Sequence, residues 1–250
     1  MTNAQHQVIG HSITVNGGNL YYEKSGKGDP LLFLHGWTQT SRFWKPYADH
    51  FASEYEVYVI DLRGHGRSSP LTKDFSIQNA ASDIRELIQK LQLNPVRAIG
   101  FSFGGLILLE LVTSNKVAIE SMVVIGTSYQ YDGSKKQKDK PAFAYENLDP
   151  SFKASLMQQH AHGENQIKSM FDPTLHYRIN LTEEQLKAIQ ARVLIINGDS
   201  DEIADIKQAA AMRKLIPRSD LLIIPHAGHF AINETNKDLF INRAKAFFAQ

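Results

Sequence analysis

Short continuous apolar runs alternate along the chain with longer stretches in which apolar residues recur at helical spacing. The short runs end abruptly in Gly, Asp or Pro, which is typical of strands buried on both faces of a parallel sheet. Residues 77–91 have apolar residues every three or four positions and therefore predict an amphipathic helix. The alternation favours an α/β fold with a mostly parallel sheet and helices on both faces. The buried strands are predicted at 31–36, 57–61, 96–99, 121–126, 192–198 and 220–225, and further helices at 43–51 and 236–248.

Two regions depart from this rhythm. Residues 12–24 alternate in the manner of strands, with Gly17 and Gly18 predicted as the turn of a hairpin. From about 129 to 190 the chain shows no strong strand and only short helical patterns. Because connections within compact domains are short, this interval predicts a helical insertion over one end of the sheet. The predicted organisation is one domain with an α/β core (1–128 and 191–250) and a helical cap (129–190).

Composition narrows the possible partners. The chain has 250 residues, 42% of them hydrophobic and 21% charged, which is ordinary for a globular protein. Lys and Arg total 27 against 26 Asp and Glu, so no basic surface favours a nucleic acid. The one dense basic run, 135–140, is interrupted by Asp139 and is interpreted as a solvated loop. A small molecule is the expected partner, and the sequence does not indicate an oligomeric state.

Cysteine is absent, which excludes thiolate metal sites and cysteine nucleophiles and fits a reducing compartment. The first residues lack the charged and apolar regions of a signal peptide. No apolar run approaches the roughly 20 residues needed to cross a bilayer. The expectation is a cytoplasmic protein without a membrane span.

A lone serine between glycines is the first candidate for chemistry. Ser102 lies in "VRAIGFSFGGLILLEL" (96–111), where a buried strand meets a helix. A tight strand-to-helix reversal strains the serine backbone and requires small neighbours, a demand that Gly100 and Gly104 meet. The hydroxyl of this nucleophile elbow would then stand at the sheet edge above a helix N-terminus, which favours negative charge. The alternative is a turn whose serine only caps the helix.

Partners for this serine follow two later strands. A serine hydroxyl needs a base, which in turn needs an orienting carboxylate. Asp199 and Asp201 follow one predicted strand, and His226 and His229 follow the next. The chain order Ser, Asp, His is the one expected when these loops converge at one sheet edge. His229 follows a glycine that permits a tight loop, whereas His226 follows a proline and is interpreted as a packing or solvent-facing residue.

An oxyanion hole requires backbone N–H groups aimed at the position where negative charge develops. The Phe103 N–H directly follows the nucleophile, and the Trp37 N–H in "HGW" follows an earlier buried strand. His35 is interpreted as a hydrogen-bonding residue that shapes this hole rather than as a second base. Aromatic residues are expected to line an apolar pocket for a small or medium acyl group, although each cap aromatic has ordinary packing as its alternative. The predicted pocket residues are Trp37, Phe101, Phe103, Phe143 and Tyr145, with Phe171 as a further cap aromatic.

Taken in order, these motifs resemble the α/β-hydrolase fold superfamily, in its serine esterase, lipase and perhydrolase branch. The resemblance implies that Asp201 rather than Asp199 is the triad carboxylate and that 129–190 is the cap. It also implies that "DLRGHGRS" supports the triad from beneath and that no cofactor is needed. It spans about residues 30–230 and is specific for fold and triad rather than substrate. The matching residues are His35–Trp37, Asp61, Arg63, Gly64, Gly66, Ser68, Gly100–Gly105, Gly198, Asp201 and Gly228–His229.

Departures from individual branches refine the predicted activity. Relatives with an aspartate nucleophile, such as haloalkane dehalogenases and epoxide hydrolases, carry Asp where this chain has Ser102. Proline iminopeptidases have Trp in place of Phe103, and carbon–carbon bond hydrolases do not match Phe101 or Phe103. The prediction is a carboxylesterase that acts through an acyl-enzyme. The alternatives are a cofactor-free perhydrolase, a carbon–carbon bond hydrolase, a slow-turnover ligand receptor, a metal-dependent hydrolase using His160 and His162 or "HAGH" (226–229), and a purely structural protein.

Overall fold

A computed structural model describes residues 6–114, 119–132, 144–172, 175 and 177–250. Its strands are β1 (Ile9–Val15), β2 (Gly18–Gly26), β3 (Asp29–Leu34), β4 (Tyr55–Asp61), β5 (Val96–Phe101), β6 (Ile119–Ile125), β7 (Gln130–Asp132), β8 (Arg178–Asn180), β9 (Arg192–Gly198) and β10 (Ser219–Ile224). Eight of them form one sheet in the order β1-β2-β4-β3-β5-β6-β9-β10. Within this sheet only β2 runs opposite to the other seven strands, so the predicted mostly parallel sheet is confirmed.

Helices cover both faces of the sheet. Apolar side chains of α2, α3 and α7 form the core on one face, and those of α1 and α8 form the core on the other. Because the central strands are buried from both sides, their sequences are continuous apolar runs. The helices are α1 (Lys45–Ala48), α2 (Ile77–Lys90), α3 (Phe103–Thr113), α4 (Pro150–Gln159), α5 (Gly163–Met170), α6 (Glu183–Lys187), α7 (Ile206–Leu215) and α8 (Lys237–Phe248), with 3₁₀ turns at Ser41–Trp44 and Tyr145–Asn147.

The N-terminal hairpin turns one residue earlier than predicted. Its two turn residues are Asn16 and Gly17, with φ of 43° and 75°, and Gly18 already pairs with Val15 in the strand ladder. A two-residue hairpin turn of this type needs positive φ at both central positions, which Asn and Gly adopt readily. The Asn-Gly pair therefore sets the turn, rather than the two glycines.

Between β6 and β9 lie α4, α5 and α6 together with the antiparallel pair β7–β8, which the sequence pattern did not predict. Residues of this segment form a small separate core. Among the described residues, no helix combines the length and apolar character needed to cross a membrane. The basic run 135–140 and Phe143 lie outside the described residues. The core of the segment consists of Leu148, Leu156, Ile167, Met170 and Phe171.

Candidate active site

Ser102 stands between the end of β5 and the first residue of α3, with φ of 50° and ψ of −111°. Positive φ is unfavourable for a residue with a Cβ, and such strain concentrates at functional sites. The turn is held because the Ser102 N–H donates to the Ile125 carbonyl at 2.8 Å. Its tightness explains the flanking glycines: a Cβ at Gly104 would lie 2.3 Å from the Leu34 carbonyl oxygen, and one at Gly100 would lie 2.7 Å from the Gly104 carbonyl carbon.

The carboxyl ends of β5, β9 and β10 bring the three predicted triad residues together. His229 Nε2 lies 2.8 Å from Ser102 Oγ, and His229 Nδ1 lies 3.0 Å and 3.1 Å from the two carboxylate oxygens of Asp201. A carboxylate only accepts hydrogen bonds, so the proton of a neutral His229 sits on Nδ1. Nε2 is then free to accept the hydrogen bond of the Ser102 hydroxyl, which is the arrangement a general base requires.

Asp201 is fixed by its own loop. Its side chain is fully buried, and Oδ1 accepts the N–H groups of Ile203 and Ala204 at 2.8 Å each. Burial raises the pKa of Asp201, but the hydrogen bonds from His229 and from these N–H groups outweigh it, so the pKa lies below its ordinary value of 3.8. The carboxylate is therefore ionised and rigid at neutral pH.

The two competing residues on the same loops are bonded to each other. Asp199 is exposed, and its Oδ2 accepts the His226 N–H at 3.0 Å while Oδ1 accepts the Ser200 hydroxyl at 2.9 Å. His226 is exposed with φ of 57°. Asp199 thus braces the turn between the two loops, and the geometry favours Asp201 as the partner of His229.

Trp37 and Phe103, the predicted oxyanion-hole residues, are neighbours with ring centroids 4.9 Å apart. Phe103 is the first residue of α3, so its N–H has no hydrogen-bond acceptor within the helix. Neither this N–H nor that of Trp37 donates to another described residue. Within the described part of the chain, both N–H groups are therefore without an acceptor.

A small cavity of about 30 Å³ opens at Ser102. Of the predicted pocket residues, Phe103 lines it, whereas Trp37 packs behind Phe103 and donates its indole N–H to the Met170 carbonyl at 3.3 Å. Several of the lining residues were not predicted. Within the described part of the chain, the lining residues are Ser102, Phe103, Leu106, Gly126, Ser128, Tyr131, Tyr177, Ile203 and Ala204.

Phe101 and Tyr145 lie elsewhere. Phe101 continues the alternation of β5, so its side chain enters the opposite core and contacts the His229 ring, with centroids 5.1 Å apart. Tyr145 lies on the outer side of the 129–190 segment, where its hydroxyl donates to Glu164 at 3.1 Å and Lys168 lies over its ring. The structure thus places Phe101 as a support for the histidine and Tyr145 away from the cavity.

Tyr131 and Tyr177 are the main lining residues that the sequence reasoning missed. Their rings stack with centroids 5.6 Å apart, and burial raises the pKa of both hydroxyls. Ser128 and Tyr131 follow the carboxyl end of β6. Ligands bind outside the carboxyl ends of parallel strands, so the reasoning that applies to the loops after β5, β9 and β10 applies to these two residues as well. Tyr177 precedes β8, a short strand that the hydrophobic pattern does not indicate.

The mostly parallel sheet with a strained serine, a histidine and an aspartate at its carboxyl edge defines a class of α/β hydrolases. A profile of the alpha/beta hydrolase family matches residues 31–243, and the chain belongs to that family. The AB hydrolase superfamily protein YisY of Bacillus subtilis is 25% identical over an alignment of length 258, which covers 92% of this chain and 96% of the relative.

A pimeloyl-[acyl-carrier protein] methyl ester esterase of Aliivibrio fischeri is 23% identical over 265 residues, which cover 92% of this chain and 98% of the relative. Among solved structures, the esterase RhEst1 from Rhodococcus sp. ECU1013 superposes with a TM-score of 0.76 at 20% identity, covering 98% of this chain and 99% of that one. The predicted α/β-hydrolase fold is confirmed.

Proposed function

We propose that the protein hydrolyses carboxylic esters of small acyl groups through an acyl-enzyme intermediate. The observation that carries this proposal is the continuous hydrogen-bond chain from Ser102 Oγ through His229 to the buried Asp201, at 2.8 Å and 3.0 Å. A serine with this orientation toward a neutral imidazole is activated for attack on a carbonyl carbon. The esterase names among similar proteins support the same reaction class.

In the proposed reaction, His229 Nε2 takes the Ser102 proton as Oγ bonds to the carbonyl carbon of the ester. The Phe103 and Trp37 N–H groups stabilise the tetrahedral oxyanion, and the ionised Asp201 stabilises the imidazolium. The intermediate then expels the alcohol, which leaves with the proton from His229. Water repeats the sequence on the acyl-enzyme: His229 removes its proton, the acid is released and Ser102 regains its hydrogen.

The cavity size limits the acyl group. The small cavity at Ser102, about 30 Å³ among the described residues, favours a short acyl chain. Among the described lining residues there is no Lys, Arg or His, which favours a neutral acyl group over a charged one. We propose that residues 129–190 act as the cap of a core formed by 1–128 and 191–250. The cytoplasmic location remains a prediction from the sequence.

Turnover of p-nitrophenyl acetate, butyrate and octanoate tests the proposal, together with labelling by a fluorophosphonate. We expect multiple turnover that falls from acetate to octanoate, with the probe attached to Ser102 in a mass-spectrometric peptide map. The Ser102→Ala variant should lose at least about 10⁴-fold in kcat. A Ser155→Ala variant on the exposed face of α4 serves as the control and should keep full activity. Unaltered hydrolysis by Ser102→Ala would remove the mechanism, and a single-turnover burst would instead support a ligand receptor.

Substitution of the two aspartates tests the triad assignment. Asp201→Asn keeps an oxygen for the N–H groups of Ile203 and Ala204 but loses the charge that orients and stabilises His229. By analogy with other triads, kcat should fall about 10⁴-fold at neutral pH. Asp199→Asn, on the neighbouring turn, is the matched control and should keep kcat within about twofold. A larger loss in Asp199→Asn than in Asp201→Asn would exchange the two roles.

A further inference from the structure

The loop that follows β3 is held in a strained shape beside the proposed oxyanion hole. Thr38 has φ of 64°, a conformation that is unfavourable for any residue with a Cβ and especially for a β-branched one. Such a residue persists only where its surroundings fix it. Three consecutive peptide groups of this 36–39 loop are hydrogen-bonded by three different histidines.

The first two bonds come from the core. The Gly36 carbonyl accepts His35 Nδ1–H at 2.8 Å, and this carbonyl belongs to the same peptide as the Trp37 N–H. The same carbonyl also accepts the Gln39 N–H at 3.2 Å. Because the C=O and N–H of a trans peptide point in opposite directions, these two bonds together set where the Trp37 N–H points. In the next peptide, the Thr38 N–H donates to His65 Nε2 at 3.1 Å.

The third bond comes from the segment that follows α4. His160 Nε2 bonds to the Thr38 carbonyl at 3.1 Å, and His160 Nδ1 accepts the Gly66 N–H at 2.9 Å. The ring therefore joins the 36–39 loop to the glycine-rich 62–66 loop beneath it. His160 is 2% exposed, so water does not compete for either bond.

All three histidines bridge the same two loops, and their bonds define their protonation. His35 Nε2 accepts the Leu62 N–H at 3.0 Å, and His65 Nδ1 donates to the Arg63 carbonyl at 3.0 Å. Each ring, His160 included, thus has one nitrogen facing an N–H and the other facing a carbonyl, which only a neutral imidazole satisfies. Burial, as the largest cause, lowers the pKa of all three.

We propose that His160, together with His65, is a positioning residue that fixes the 36–39 loop so that the Trp37 N–H stays aimed at the oxyanion. The inference rests on the proposed function for its catalytic consequence. On this proposal, the 129–190 segment contributes to the catalytic geometry as well as covering the site. If His160 is replaced, the strained Thr38 peptide loses the only hydrogen bond that it receives from the described residues of that segment. Relaxation of Thr38 would then turn the adjacent peptides.

The experiment compares His160→Leu with His160→Gln, which offers an acceptor for Gly66 and a donor for Thr38. Gln166→Leu is the matched control, because Gln166 is equally buried and bonds the Gly66 carbonyl at 3.2 Å without touching Thr38. We expect His160→Leu to lower kcat about 10- to 100-fold with KM within about twofold, since loss of a whole oxyanion donor costs about 10²–10³. Affinity for a trifluoromethyl ketone, whose adduct carries the oxyanion, should fall by the same factor.

His160→Gln should recover most of both losses, and Gln166→Leu should lower the melting temperature while keeping kcat. Equal loss of kcat in His160→Leu and Gln166→Leu, or full activity in a folded His160→Leu, would overturn the proposal.

The ¹⁵N spectrum of histidine-labelled parent protein at pH 7 gives a test independent of folding or of ester turnover. It should show the proton of His160 on Nε2 and that of His65 on Nδ1, and the opposite tautomers would refute the bridges. A parent that hydrolyses no ester would contradict the proposed function, and the tautomers would still decide the geometry.

Discussion

Acidification from pH 7.5 to 5.0 is expected to destabilise the fold by about 2 kcal/mol through His35 alone. Burial, partly opposed by the nearby Asp61 carboxylate, lowers the pKa of His35 from 6.5 to about 4. A depressed histidine pKa means that the unfolded chain binds the proton first, so stability is complete above pH 6.5 and falls as the pH drops toward 4. By pH 5.0 the fall has covered about one and a half pH units at about 1.36 kcal/mol each.

The other two bridging histidines act in the same direction, so about 2 kcal/mol is a lower bound for the set. For a domain of this length the loss corresponds to a melting temperature about 4–8 °C lower at pH 5.0. The free energy of unfolding is measured by urea titration at pH 7.5, 6.5, 5.5 and 5.0. This window lies above the ordinary pKa values of the carboxyl groups, which are about 4, so it isolates histidines.

His35→Gln is the informative variant, because its side-chain oxygen can accept the Leu62 N–H and its amide can donate to Gly36, yet it does not titrate. The quantity compared is the loss of unfolding free energy on acidification, rather than the stability at pH 7.5. We expect the loss of stability between pH 7.5 and 5.0 to be about 2 kcal/mol smaller than in the parent. A parent as stable at pH 5.0 as at pH 7.5, or an unchanged slope in His35→Gln, would refute the neutral buried imidazole.

Two substitutions, each with a control, test the packing beneath the site. Gly104→Ala should lower the free energy of unfolding by about 3 kcal/mol, because its Cβ would lie 2.3 Å from the carbonyl oxygen at the end of β3. Gly228→Ala, whose Cβ has no neighbour nearer than 3.9 Å, is the control and should change it by less than about 0.5 kcal/mol; similar losses in urea titration would contradict this. Asp83→Asn should lower the stability by about 3–5 kcal/mol, because it leaves the buried Arg63, bonded at 2.5 Å and 2.7 Å, without its counter-charge. Glu54→Gln in an exposed ion pair should change it by at most about 1 kcal/mol, and a comparable effect would argue against the buried pair.

Much of the fold was predictable because its signals are local. Each central strand is a continuous apolar run that ends in a turn residue, and α2 runs to within one residue of the predicted bounds, at Ile77–Lys90. The serine turn was predictable for a related reason: the clash that requires Gly100 involves Gly104 and Gly105 of the same motif, although the clash that requires Gly104 involves Leu34 in β3. The convergence of the loops after β5, β9 and β10 follows from parallel strands alone, since their carboxyl ends meet at one edge.

The bonds of His65 and His160 had no such local signal, whereas His35 was predicted as a hydrogen-bonding residue from its place beside Gly36. His35, His65 and His160 lie on three loops far apart in sequence, and each bonds backbone groups, which every residue carries. A side chain that binds another side chain leaves a chemical pairing in the sequence, but one that binds a peptide group leaves none. The sequence offers His160 a role only as a metal ligand beside His162, within one short motif, whereas the groups it bonds lie about a hundred residues earlier. The backbone that shapes an oxyanion hole is therefore the part of such a site that needs coordinates to be found.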